Sequence, residues 1–391
     1  MPAAELLEGV TFSYRPKDAA AKVDAALTWF AYRSGEPVPK LGRWEQLGFQ
    51  RRSDLSRAFS AGDPGPVRRW LRTSGTSGRP LLFPFSLADE AQAEHTVELV
   101  HSVLPPMHGH TAVIGVPSDT SASGFHAARQ LGQIGVAVVH TGIGSPGQLL
   151  RDMEISGADI LLTLPRVASR LAELSNKLYE RVPELTYLML GGDVAAVARM
   201  RRLEATYRCR AFDGLGMTEV YGPAAVQVAP GIQQWCVPET LIEVLDLRTH
   251  EAVPQGSAGV LVITSLWQKA MPLRRYWTGD VVRVLEPGPL GEFRFAIVGR
   301  PLSRLPDVEP YVYLGEIDQV IEAEAWTSSE WEVDRDPDGR FGVTIEAATA
   351  GVDEIETLRA KLQTLGEWDF RLEILPPGSL SRAHAKMQAN I

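Results

Sequence analysis

Cysteine is nearly absent: Cys209 and Cys236 are the only two in 391 residues. That excludes a disulfide framework and any multi-cysteine zinc site, and leaves buried thiols as the plain reading of both. Basic residues are also in deficit. Lysine and arginine number 39 against 48 aspartates and glutamates, a formal charge of −9, whereas a general nucleic-acid binder needs the opposite balance. No apolar run approaches the length of a membrane span. The opening Met-Pro-Ala-Ala-Glu-Leu-Leu-Glu has no basic stretch leading into an apolar core, so no signal peptide is read there. The expectation is a cytoplasmic protein with no nucleic-acid or membrane partner. Repeats and low-complexity segments are missing too. What remains is globular, with 45% apolar residues and length for two or three domains.

Residues 1–70 read as polar and helical, anchored by Trp29, Phe30 and Trp44, and show no chemistry. A strand is expected over 81–85. Ser86-Leu87-Ala88-Asp89 then reads as a helix cap, opening a helix whose Ala93, Val97, Val100 and Leu104 mark one buried face. From 111 to 212 short β-branched runs alternate with helical segments. That pattern predicts an α/β fold with a parallel sheet covered on both faces, its ligand loops beyond the strand carboxyl ends. From about 224 to 300 strands dominate, as a β-rich subdomain. Past 300 the alternation resumes at small scale, which suits a separate α+β unit. The division expected is a large domain over 1–300 and a small domain over 301–391.

The densest chemistry lies at 72–80, Arg-Thr-Ser-Gly-Thr-Ser-Gly-Arg-Pro. Thr73, Ser74, Gly75, Thr76, Ser77 and Gly78 place hydroxyls and freely turning backbone amides together, which suits phosphate oxygens. A flexible linker would share the composition, but ordered elements flank this loop. No Gly-Lys-Ser/Thr ends it, so it is not a Walker loop. Asp213-Gly214-Leu215-Gly216-Met217-Thr218-Glu219 follows a strand and sets a hydroxyl and a carboxylate at the ligand rim. Arg275-Tyr276-Trp277-Thr278-Gly279-Asp280 reads as a Thr-Gly turn before a strand, with a carboxylate able to accept two ribose hydroxyls.

These motifs, in this order, resemble the acyl-adenylate-forming superfamily, the acyl-CoA synthetases and adenylation domains. The likeness runs from about residue 70 to 391. Glu219-Val220-Tyr221-Gly222-Pro223 and Ala270-Met271-Pro272-Leu273 are most like the phenylacetate-CoA ligase branch. The resemblance implies ATP-dependent activation of a carboxylic acid, by branch analogy an aromatic one, as acyl-AMP with release of pyrophosphate. The acyl group then passes to CoA, a carrier-protein thiol or an amine. By motif match Asp213 reaches the adenine amino group, with Gly214 beside it, and Leu215 takes the place of the aromatic that stacks on adenine. Thr218 meets a phosphate, Glu219 holds Mg2+, and Asp280 holds the ribose. Gly191-Gly192-Asp193 lies along the adenine. Arg300, in Val298-Gly299-Arg300, contacts ribose or phosphate at the hinge. Lys386 bridges the carboxylate and the α-phosphate. Phe125, His126 and Gly216 fall at the acyl pocket, and Trp235 and Cys236 either line it or pack. The sequence departs from the family at 301–309, where Leu302 and Ser303 stand for the hinge acids, Glu309 stands for a glycine, and Pro301 and Pro306 constrain the backbone, and at Ala385 in place of a glycine. Two alternatives stay open: a ligase with a non-thiol acceptor, and a non-catalytic nucleotide-binding relative.

Overall fold

The computed structural model describes residues 7, 10–34, 44–55, 67–73, 80–117, 123–142, 144–300, 312–335, 340–381 and 389–390. Its elements run α1 (Ala19–Ser34), β1 (Arg69–Arg72), β2 (Leu82–Phe85), α2 (Leu87–Val103), β3 (Thr111–Gly115), α3 (Ser123–Gln133), β4 (Ala137–His140), α4 (Pro146–Ser156), β5 (Ile160–Thr163), α5 (Pro165–Tyr179), β6 (Tyr187–Gly191), α6 (Val197–Tyr207) and β7 (Arg210–Met217). They continue with β8 (Gly222–Ala229), β9 (Ile232–Trp235), β10 (Thr240–Leu245), β11 (Ala258–Ser265), β12 (Tyr276–Val284), β13 (Arg294–Gly299), α7 (Leu314–Glu322), β14 (Trp331–Arg335), β15 (Phe341–Glu346), α8 (Val352–Gln363), β16 (Phe370–Leu375) and β17 (Ala389–Asn390). The chain divides into two compact units. One holds Met1–Pro106, Pro117–His126 and Leu215–Ile297; the other holds Met107–Val116, Ala127–Gly214 and Val298–Ile391.

In the first unit, β1 and β2 pair antiparallel, with Leu71 opposite Phe83 and both buried. The strand β1 falls where the sequence reads as helical. Its Arg-Trp-Leu-Arg run is too short and polar to announce itself, and the pairing partner decides it. The cap before α2 is as read. The Ser86 hydroxyl accepts the Asp89 amide at 3.2 Å, and the Asp89 carboxylate accepts the Ser86 amide at 2.8 Å. Such a reciprocal cap is worth about 1 kcal/mol. Ala93, Val97 and Val100 are buried as the periodicity requires. The β-rich segment is a sheet in the order β10-β11-β12-β13-β9-β8. Its core joins Leu261, Ile263 and Phe295 to Phe83, Phe85 and Tyr221.

In the second unit, strands pair parallel in the order β4-β3-β5-β6-β7. The order reverses between β3 and β5, and the loops beyond the strand carboxyl ends at such a point are where α/β sheets bind ligands. Burial of Ala112, Val113, Ile114, Ile160, Leu161 and Leu188 is that of a sheet covered on both faces. A four-stranded sheet in the order β16-β15-β14-β17 belongs to the same unit. Trp331, Val333, Val343 and Ile345 pack there against Ile317 and Ile321 of α7 and Leu358 and Leu362 of α8. The α/β class, the β-rich part and the small α+β part all match the sequence reading.

Candidate active site

The Asp213–Glu219 motif is not a turn after a strand. Strand β7 runs on through Met217, because Asp213 and Gly214 stay in register with Leu190 and Gly191 of β6. Only Thr218–Val220 turns, as one 3-10 turn. Tyr221 ends it at φ 70°, a left-handed conformation that a bulky residue adopts at a cost of about 1–3 kcal/mol. The surroundings hold it there. The Tyr221 hydroxyl donates to Glu90 at 2.8 Å, and its ring stacks edge-on to Phe85 and His126.

The half-buried Glu219 carboxylate is gripped at Oε1 by the Tyr276 hydroxyl, 3.0 Å away. Its backbone carbonyl accepts the Gln268 side-chain amide at 2.6 Å. Gln268 is fixed in turn, because the buried Asp89 carboxylate accepts the Lys269 amide at 2.7 Å and the Ala270 amide at 3.1 Å. The residue that caps α2 therefore also ties down the loop beneath Glu219. Burial raises the pKa of Glu219, while Tyr276 and the charge of Arg52 oppose it.

Asp280 also lies inside a strand, not beyond a turn. Strand β12 pairs Val281 with Val260 and Trp277 with Val262, so Thr278, Gly279 and Asp280 bulge out opposite one residue of β11. Gly279 sits at φ 81°, which only glycine adopts cheaply. The Thr278 hydroxyl donates to the Leu261 carbonyl at 2.8 Å and accepts the Asp280 amide at 3.1 Å. A bulge of this kind re-aims a side chain out of the ladder.

Of the glycine-rich loop, Thr73 is described and buried, while Ser74, Gly75, Thr76, Ser77 and Gly78 lie outside the described residues. The Thr73 hydroxyl accepts the Leu81 amide at 2.9 Å and the Arg52 guanidinium at 2.7 Å. It closes the base of the β1–β2 hairpin. Arg52 comes from the stretch in which the sequence shows no chemistry. Nothing local marks it, since its contact is with a residue far along the chain. No local signal marks Tyr276, Gln268 or Asp89 as a support of Glu219 either.

Phe125 and His126 open α3. Phe125 is largely exposed under the Arg69 guanidinium, 5.3 Å from its ring, and His126 is buried against Tyr221. Arg69 also pairs with Glu90 at 2.5 Å. Leu215 packs on the core of its unit, and Gly216 is exposed. Cys236 is buried, and Cys209 is half-buried rather than buried. Burial pushes both thiols up to about 12, so both are inert.

In the second unit, Gly191-Gly192-Asp193 closes β6 at its carboxyl end, with Asp213 beside it on β7. Arg300 is exposed just past β13. Burial pushes the Asp213 carboxyl up to about 7, and the charge of Asp193 adds to it. An acid whose pKa is raised by folding withdraws stability as pH climbs from its unfolded value to its folded one. Asp213→Asn should remove that slope. Relative to the parent, the variant should gain about 3 kcal/mol between pH 5 and pH 8 and then level off. Urea denaturation at several pH values reads this directly, and parallel pH profiles for the two proteins would refute it. Lys386 and residues 301–309 lie outside the described residues. Among the described residues no cluster of three or more His, Cys, Asp or Glu could hold a metal ion, and no helix is long and apolar enough to cross a membrane.

The family described as AMP-binding enzyme matches residues 73–271, half of the chain, so the protein belongs to the acyl-adenylate-forming superfamily. The likeness to its phenylacetate-CoA ligase branch stands. The phenylacetate-coenzyme A ligase of Thermus thermophilus is 28% identical over 271 residues, covering 64% of this chain and 57% of that protein. The Aromatoleum evansii ligase of the same name is 27% identical over 255 residues, covering 60% and 54%. The chain thus spans little more than half the length of these relatives. A solved structure of 2-hydroxyisobutyryl-CoA ligase in complex with 2-HIB-AMP superposes with a TM-score of 0.78 at 20% identity, covering 99% of this chain and 90% of that one. The two share a fold.

Proposed function

We propose that this protein activates a carboxylic acid with ATP, forming acyl-AMP and pyrophosphate, and then passes the acyl group to a nucleophile. The substrate oxygen attacks the α-phosphate and the bond to pyrophosphate breaks. Catalysis of such a step is mainly positioning and electrostatic stabilisation. The observation that carries the reading is Glu219, a residue of the family-matched segment whose half-buried carboxylate is held by Tyr276 and whose backbone carbonyl is held by Gln268. Asp280, on its bulge, would take the ribose hydroxyls. Asp213 and Gly191-Gly192-Asp193 would lie along the adenine, and the 73–78 loop along the phosphates. Residues 301–391 would carry Lys386 as a lid.

The donor set suits a hard divalent cation that arrives with the nucleotide. Mg2+ is commonly held by one or two carboxylates plus phosphate oxygens, and Glu219 offers one oriented carboxylate. The ion, when bound with ATP, supplies positive charge to the phosphates. An aromatic acid is the substrate class suggested by the names of the relatives, which also suggest CoA as acceptor. A second acceptor reading, a non-thiol such as an amine, is favoured by the buried arginine contacts that tie α7 and β14 to α5 and α6. Those contacts would resist a lid rotation.

The test is pyrophosphate release from ATP across a panel of aromatic and aliphatic acids, followed by addition of CoA or hydroxylamine. Acid-dependent release is expected with at least one aromatic acid. ATP binding without release on any acid would replace the ligase reading with a nucleotide-binding relative.

A further inference from the structure

The carboxylate of Glu219 is held by parts of the chain far from it in sequence, and both neighbourhoods are strained. Tyr276, 57 residues away, donates its hydroxyl to Oε1. It follows Arg275, which sits at φ 40°. Arg275 is itself locked. Its guanidinium is buried on Glu243 at 2.8 Å, its amide donates to the Thr264 hydroxyl, and its charge lies 4.5 Å from the Phe49 ring centre. On the other side, Tyr221 at φ 70° ends the turn that presents Glu219. Backbone conformations this costly persist only where the surroundings over-determine them.

The fixation acts on three degrees of freedom. Gln268, only 3% exposed, takes the Glu219 carbonyl and so sets the backbone of the turn. Tyr276, only 2% exposed, takes Oε1 and so sets the last side-chain torsion. The rigid Arg275–Glu243 pair, joined by the Trp44 indole at 3.1 Å, sets where Tyr276 stands. With Oε1 accepting from Tyr276 and the backbone carbonyl accepting from Gln268, the carboxylate is held in one orientation.

We propose that Tyr276 and Gln268 are positioning residues for Glu219: together they present its carboxylate in one orientation to the divalent cation carried by the nucleotide. The inference rests on the reading of Glu219 as the cation-holding residue. A carboxylate free to rotate would lose much of its preference for one ion position, and partners of this outer kind commonly contribute 10- to 100-fold in metal affinity. Neither residue needs to touch the substrate, so the acid's own binding should be spared.

The experiment measures two quantities on the full chain. One is Mn2+ binding by electron paramagnetic resonance in the presence of α,β-methylene-ATP, where no turnover occurs. The other is the Mg2+ concentration for half-maximal pyrophosphate release, with the KM for the acid measured at saturating Mg2+. Tyr276→Phe should weaken Mn2+ binding and raise the Mg2+ requirement by about 10- to 100-fold, while the KM for the acid stays near the parent value. Gln268→Leu should move both in the same direction and serves if Tyr276→Phe folds poorly. Tyr207→Phe removes another buried hydroxyl, one bonded to the Ala168 carbonyl in the other unit, and should cost stability without moving the cation requirement. If Glu219→Gln shifts both quantities but Tyr276→Phe and Gln268→Leu do not, the positioning role is overturned and the cation role of Glu219 stands. If Glu219→Gln also leaves both unmoved, the reading of Glu219 falls, and the positioning role falls with it.

Discussion

Replacing Lys386 with alanine is expected to lower acid-dependent pyrophosphate release by about 100- to 1,000-fold, the usual cost of removing one preorganised charge from a developing oxyanion. Transfer from supplied acyl-AMP to the acceptor should change little, because that step no longer breaks a bond at phosphorus. The segment around Lys386 has fixed ends. On one side, the buried Glu346 carboxylate accepts the Gly378 amide at 2.9 Å and the Leu380 amide at 2.6 Å. On the other, Ala389 and Asn390 pair with Val333 and Asp334 of β14. The described residues on both sides of this stretch are thus anchored, and anchoring the ends of a segment reduces the chain entropy it has left to lose. The same logic predicts a sensitivity one step removed. Glu346→Gln, which weakens the anchor, should lower pyrophosphate release less than Lys386→Ala and again spare transfer from acyl-AMP. Near-parental pyrophosphate release by Lys386→Ala would take this lysine out of the mechanism.

What was legible in the sequence, and what was not, follows from how far each signal travels along the chain. The parallel strands and their helices are written locally, in runs such as Ile160–Thr163 whose buried residues leave little choice. The capping box at Ser86 is equally local, and the structure repeats it atom for atom. Boundaries were less legible where a ladder overrides composition. The glycines of 213–217 look like a turn, yet hydrogen bonding to β6 keeps Asp213 and Gly214 in the strand. The Thr278–Asp280 bulge is a property of two strands in register, so no reading of one strand alone reveals it. Arg52 meets Thr73 at a distance of 21 residues, and Tyr276 meets Glu219 at 57. Tyr276 stood within a recognised motif, but its partner did not follow from the motif. Nothing in the sequence of α5 and α6 marks their arginines as buried. Only the small sheet and α7 turn them inward.

Those arginines carry the second large effect. Arg199→Ala is expected to destabilise the second unit by about 3–5 kcal/mol, the cost of leaving a buried carboxylate without its partner. Arg199 has no exposed surface, and its guanidinium meets Asp318 at 2.6 Å and Glu322 at 2.8 Å. Both acids lie one turn apart on α7, so one cation serves the two. Arg170 forks onto Glu330 at 2.6 and 2.9 Å. Arg166 donates to the Trp331 carbonyl, and Arg202 caps the carbonyls of Glu322, Glu324 and Thr327. Urea denaturation measures the loss, and a change under about 1 kcal/mol would show that the network is solvated after all. The triple variant Arg199→Met, Asp318→Leu and Glu322→Leu separates charge from packing. With the three buried charges gone together it should lose less stability than Arg199→Ala, the remainder reflecting Arg202, which pairs with Glu322 at 3.2 Å, and the Trp331 indole and Ala196 amide, which donate to Asp318. The same pair of variants bears on the acceptor. If the ionic contacts hold α7 and β14 in place through the reaction, the triple variant should form acyl-AMP as the parent does and use CoA no better. If CoA use rises once the charges are gone, the contacts restrain a movement that the thioester step requires.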